Sequence, residues 1–138
     1  MSQASNYLEQ KLLDHTLRNT AFTSPTAVYV GLFLSTTDAA TTVANLEAGT
    51  LTDEVSGNNY ARIQATFAAA SSGSITTSGN VTFAAANGGD FGTITHIAIM
   101  DALTSGNVLF YGALTTSKQI QDGDTFQITT GNLTVTLA

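Results

Sequence analysis

Few side chains in this chain could do chemistry, and their spacing decides most of what they can do. There are two histidines, His15 and His96, about 80 positions apart. His15 follows Asp14, but successive residues on a helix do not face each other. A packed, hydrogen-bonded histidine in a core or an interface is therefore the reading, over a general base. His96 would share a strand face with Ile94 and Ala98, again a structural position. Neither belongs to an HExxH motif or a His/carboxylate cluster with metal-ligand spacing, so metal ligands: none. Asp122-Gly123-Asp124 is the densest acidic cluster, yet it lacks the spaced acidic series and terminal Glu of a calcium loop. An Asp-Gly hairpin turn accounts for it. Asp53-Glu54 is a pair of neighbouring carboxylates, and glycoside hydrolysis would need two of them poised across a cleft. Within a loop the pair reads as solvated.

Nucleophile and phosphate motifs are missing. The sequence contains no Gly-x-Ser-x-Gly and no P-loop, and Gly88-Gly89-Asp90-Phe91-Gly92 precedes a strand, not a helix. With no Cys, thiolate chemistry and disulfides are excluded. Tyr29, Tyr60, Phe91 and Tyr111 could line a carbohydrate-binding face, but without Trp that platform is weak. Most of the four read as core or interface. The expectation is a protein with no catalytic residue and no cofactor.

Charge narrows the partners. Only 10% of the 138 residues are charged, against about 25% in an ordinary domain. Lys11, Arg18, Arg62 and Lys118 oppose ten acidic residues for a net charge of −6. No basic patch exists to track a phosphate backbone or an anionic bilayer, so neither nucleic acid nor membrane is an expected partner. Met1-Ser2-Gln3-Ala4-Ser5 shows no secretory pattern. The longest apolar run, Ala27 to Leu34, is far short of the roughly 20 residues that span a bilayer. Thr, Ala, Gly and Ser make up nearly half of the chain. Either these small polar residues solvate the surface, or other subunits cover much of it.

The elements follow from periodicity. Residues 5 to 20 predict a helix, capped by Ser5 or Asn6, within an N-terminal helical segment 1–24 that ends at Pro25. Ala4, Leu8, Leu12 and His15 form one stripe with Tyr7 beside it, and Leu13 and Leu17 a second apolar edge. Beyond Pro25 the pattern is strand-like. Ala27 to Leu34 is apolar on both faces and central, whereas Tyr60 to Phe67 is one-sided with Arg62 outward. Shorter strands are predicted at Val81 to Ala84, Thr93 to Met100, Val108 to Leu114, Thr125 to Thr129 and Leu133 to Leu137. Turn residues such as Ser105-Gly106-Asn107 and Gly131-Asn132 separate them. The expected fold is mainly β, one domain over 1–138: an antiparallel β-sandwich or jelly roll of seven to eight strands with one N-terminal α-helix. Residues 36–59 predict a long inter-strand loop, apolar enough to dock on a neighbouring subunit, and 68–79 a small-residue loop.

Certain blocks resemble a known family. Ser5-Asn6-Tyr7-Leu8-Glu9 running to Leu12-Leu13-Asp14-His15, Thr23-Ser24-Pro25-Thr26 before Val28-Tyr29-Val30, and Glu54-Val55-Ser56-Gly57 before Tyr60-Ala61-Arg62 are similar to small tailed-bacteriophage virion proteins. So are Gly92-Thr93-Ile94-Thr95-His96-Ile97 and Gly106-Asn107-Val108-Leu109 through Tyr111-Gly112-Ala113-Leu114-Thr115. Members are often labelled phage tail-fibre proteins and are similar in size and make-up to capsid decoration (cement) proteins. The resemblance implies a non-enzymatic structural protein, made in the host bacterial cytoplasm and built into the virion. On this reading it sits on the outer capsid surface, bound to the major capsid protein and to itself as a homotrimer or homodimer. The alternative is a tail-fibre or baseplate component serving host attachment. The contact residues expected are Tyr7, Leu8, Leu12 and His15 on the helix, with Leu46 and Leu51 in the long loop.

Overall fold

The computed structural model describes residues 2–137. Its first helix, α1 (Asn6–Leu17), starts directly after Ser5, whose backbone is still extended. The Ser5 hydroxyl accepts from Leu8 N and donates to the carbonyl of Val108, so one side chain caps the helix and pins it to the sheet. Strand β1 (Gln3–Ala4) precedes it and pairs with Phe110 and Tyr111.

The frame is a five-stranded antiparallel sheet in the order β1-β7-β6-β2-β3, with β2 (Val28–Leu34), β3 (Ile63–Ala65), β6 (Gly92–Met100) and β7 (Val108–Ile120). β2 lies inside the sheet, as its two apolar faces require. Val30 stands opposite Ile99 and Leu32 opposite Ile97. The odd and even residues of β2 then serve different cores. Val30 and Leu32 pack with Phe83, Phe91 and Phe126, while Phe33 packs with Ala98, Met100 and Tyr111. Two short ladders, β4 (Ser74–Thr76) with β9 (Thr134–Thr136) and β5 (Val81–Thr82) with β8 (Gln127–Ile128), complete the strands. The mainly β, antiparallel sandwich with an N-terminal helix stands as expected.

Some details differ from the expectation. The span 36–59 is not one long loop, because residues Ala39–Ala48 form a second helix, α2. Asp38 caps its start by accepting from Thr41 N at 2.7 Å, and Gly49 ends it in the left-handed region at φ +79°. α2 delivers Leu46 to the Phe33 face of its own sheet, so the segment folds back and does not reach outward. Strand β4 forms inside the predicted small-residue loop, pairing Ile75 with Val135. Arg62, expected outward, is buried.

β7 is also longer than its alternation suggested, and it is not regular. After the Ile94–Lys118 pair the next is His96–Ala113, so Leu114 to Ser117 stand opposite the single residue Thr95. Such a bulge twists the strand and blunts the sheet edge it runs along.

Candidate functional site

The expected contact residues separate into covered and open ones. Leu8 is buried with Ile99, Leu109 and Val135, and Tyr7 and Leu12 pack half-buried against that cluster. Leu46 is fully buried beside Met100 and Val108, with Leu51 packed against it. The chain's own core therefore already occupies Leu8 and Leu46, and the structure does not bring the helix and α2 residues into one outward patch. His15 is exposed, its Nδ1 3.2 Å from the carbonyl of Thr20 just past the helix end. What α1 offers to solvent is its second apolar edge, Leu13 at 58% and Leu17 at 78% exposure. These two leucines lie one turn apart, flanked by the Asp14–Arg18 ion pair at 3.0 Å. Leu103 in the β6–β7 turn and Leu137 after β9 are the other large exposed apolar side chains among the described residues. Leu137 rims an apolar groove whose walls include Val28, Phe67, Ile75 and Phe110.

The titratable residues are largely spent on the fold. Asp53 and Glu54, expected to be solvated, both have internal partners. The backbone at 53–55 extends the ladder beside β2, with Leu34 N donating to Asp53 O and Val55 N to Leu32 O. This alternation turns the two side chains to different neighbours. Asp53, 4% exposed, accepts from the Thr36 hydroxyl and from Asn45 Nδ2 at 3.3 Å. The Thr36 bond holds its carboxyl below the usual range, helped by Asn45, Thr42 and the nearby His96. His96 is buried against the same region with Nδ1 2.8 Å from Thr95 Oγ1, and burial pushes its pKa down.

Glu54 meets Arg62 and Tyr60. Arg62 donates through Nε and Nη2 to the two carboxylate oxygens and through Nη1 to the carbonyls of Ala102 and Ser105. The Tyr60 hydroxyl donates to Glu54 Oε1 at 2.8 Å and accepts from Leu32 N at 3.0 Å. Burial and the adjacent carboxylate raise its pKa strongly. Gly31 is a glycine because a Cβ there would lie 3.1 Å from Glu54 Oε1 and 3.2 Å from the Phe33 ring. The network ties the loop after α2 to β3 and to the β6–β7 turn. It is closed on itself, with every buried side-chain polar atom bonded among the described residues.

The sequence-level candidates for binding fare similarly. Tyr60 stacks on Phe83 and meets Phe91 edge-on, and Phe91 and Tyr111 are buried, so three of the four candidate aromatics are core. Asp122-Gly123-Asp124 forms a turn, with Asp124 N donating to Gln121 O and Gly123 at φ +90°, but not the expected hairpin, because β8 pairs with β5 and not with β7. No helix is long and apolar enough to cross a membrane among the described residues.

With this geometry in place, comparison by sequence is decisive. The family model described as podophage GP4 fiber I protein gp80 matches residues 3–136. The chain belongs to this family. No curated protein matches it. As a member of the podophage fiber I family it is a phage virion structural protein. Among the described residues of this fiber-family chain, the large apolar side chains turned outward are Leu13 and Leu17 on α1, Leu103 in the β6–β7 turn and Leu137 after β9. Sequence reasoning found Leu13 and Leu17 as an apolar edge but missed Leu103, whose only signal is a leucine ahead of the Thr104-Ser105-Gly106 turn.

Proposed function

We propose that the chain is a building block of the fibre apparatus of a tailed phage, acting through non-covalent assembly and not through catalysis. The observation that carries this reading is the match of a fiber protein family along almost the whole chain. The chemistry supports it. Glu54, Arg62, Tyr60, Asp53 and His96 are engaged inside the fold, and the four large apolar side chains left exposed among the described residues belong to an assembling surface. Interface cores are depleted of charge, and 10% charged residues leaves large areas free of charges that would have to be desolvated. The partners are further copies of this chain, in a closed ring because closed symmetry is the rule for homo-oligomers, and a neighbouring virion protein. Leu13 and Leu17 are the side chains placed at such a contact.

The second reading is capsid decoration, with the major capsid protein as partner. The acidic, charge-poor composition favours an outer surface, away from packaged nucleic acid. A decoration protein that binds only the assembled lattice stabilises the head by mass action. Virions lacking the protein separate the two. Loss of host adsorption with unchanged heat-induced genome release supports the fibre reading. Particles that still adsorb but release their genome at lower temperature overturn it in favour of decoration.

A further inference from the structure

The loop between β5 and β6 carries a reactive pair that neither the fold nor the assembly reading uses. Asn87 is followed by Gly88, and of the asparagines in the chain it alone precedes a glycine. We infer that Asn87 is a modification site, where the side-chain amide is lost spontaneously through attack by the next backbone nitrogen. The Gly88 amide gives its proton to solvent base and its nitrogen bonds to Asn87 Cγ. The Cγ–Nδ2 bond breaks and ammonia leaves, closing a five-membered succinimide. Water then opens the ring at one carbonyl or the other, leaving aspartate or isoaspartate. The net change is one water in and one ammonia out, and no other reactant is required.

The structure leaves each participant free. Asn87 is exposed, and among the described residues its side chain makes no hydrogen bond. The Gly88 N–H has no backbone acceptor within the described loop contacts. Glycine removes the Cβ that shields the nitrogen elsewhere, and nothing lies within 4 Å of where a Gly88 Cβ would stand. The other asparagines precede Tyr, Thr, Leu, Asn or Val, whose side chains crowd the same approach. The nearest parallel in the chain, Asp122-Gly123, is held differently. Its Gly123 N–H donates to Ala86 O at 2.8 Å, and Asp122 N donates to Asp90 Oδ1 at 2.8 Å. One X–Gly pair is open to ring closure and the other is engaged by the fold.

The product changes its surroundings in two ways. A new carboxylate enters the loop that already holds Asp90 and that bonds to the turn of Asp122 and Asp124. Isoaspartate also adds a carbon to the backbone beside the Asn87 N to Asn58 O bond of 2.9 Å, one of the ties between this loop and the 57–59 turn.

Incubating the purified full chain at mildly alkaline pH, folded and in urea, tests the inference. In the folded sample a single acidic variant should accumulate, shifting net charge from −6 to −7. Peptide mapping should place it at Asn87, and isoaspartyl methyltransferase should label that peptide. The Asp122 peptide should take label only in urea. Asn87→Gln should abolish the acidic variant, because glutamine would have to close a larger ring. An Asn87 that stays intact in the folded chain while it converts in urea would overturn the inference. So would an acidic variant that persists in Asn87→Gln, or folded-state labelling at Asp122 equal to that at Asn87.

Discussion

Glu54 and Arg62 face each other in a two-pronged ion pair, Nε to Oε1 and Nη2 to Oε2, each at 2.7 Å. Their side chains are 14% and 3% exposed. Pairs this well shielded are costly to break, because the remaining charge stays buried without its partner. Glu54→Ala or Arg62→Ala should each lower unfolding free energy by about 3–5 kcal/mol. Arg62→Lys should not restore it, since an ammonium cannot match the carboxylate fork and reach the Ala102 and Ser105 carbonyls together. The double replacement Glu54→Leu with Arg62→Met should cost less than the sum of the singles. Urea unfolding of the cycle measures this, and single losses below about 1 kcal/mol would mean the pair behaves as a surface one.

Helix α2 is the element on which fold and composition disagree most, and it should be testable in isolation from any partner. Leu46→Ala should destabilise the free chain by about 2–5 kcal/mol, as for a fully buried leucine. Asp38→Ala should also destabilise, by less than Leu46→Ala, through the lost cap on Thr41 N. Hydrogen exchange should find amides within 39–48 protected. Exchange there at the rate of an open loop would overturn the assignment.

What could be read beforehand follows local signals. The alternation of Val28, Val30, Leu32 and Leu34, and of Ile97 and Ile99, marked β2 and β6 because strand periodicity survives in any context. Ser5 announced α1 by cap chemistry. α2 had comparable punctuation in Asp38 and Gly49, with Thr42 and Leu46 four apart, but its Thr-rich turns carry weak helix propensity and hid it. The Glu54–Arg62–Tyr60 network was illegible for another reason. Arg62 alternates as an outward strand residue, and nothing local says that the β6–β7 turn lies over it. Of the contact residues expected on α1, Tyr7, Leu8 and Leu12 lie on the edge that packs against the sheet. Two apolar edges were visible, and which of them the sheet covers is a tertiary fact.

The uncovered edge gives the assembly prediction. Leu13→Ser with Leu17→Ser removes two exposed side chains that make no core contact. Stability of the isolated chain should change by no more than about 0.5 kcal/mol. Sedimentation velocity should show the wild-type chain associating and the double variant shifted toward monomer, with poorer incorporation into particles. Equal association by both proteins would remove this edge from the interface.

Acid should weaken the fold through two residues in sequence. His96 has its folded pKa lowered by burial, so the unfolded chain binds the proton more readily. Its contribution is fully present above the ordinary value of 6.5 and is lost as pH falls through the lower folded value. Asp53 has its pKa lowered chiefly by the Thr36 hydroxyl, so its contribution is present above 3.8 and is lost on further acidification. Unfolding free energy should therefore decline in two stages, the first below pH 6.5 at no more than about 1.4 kcal/mol per pH unit for one proton. His96→Gln should flatten the first stage and leave the second, while Asp53→Asn should do the reverse. Urea titrations across this range check both signs, and stability that rises as the wild-type chain is acidified from pH 6.5 would contradict the burial of a neutral His96.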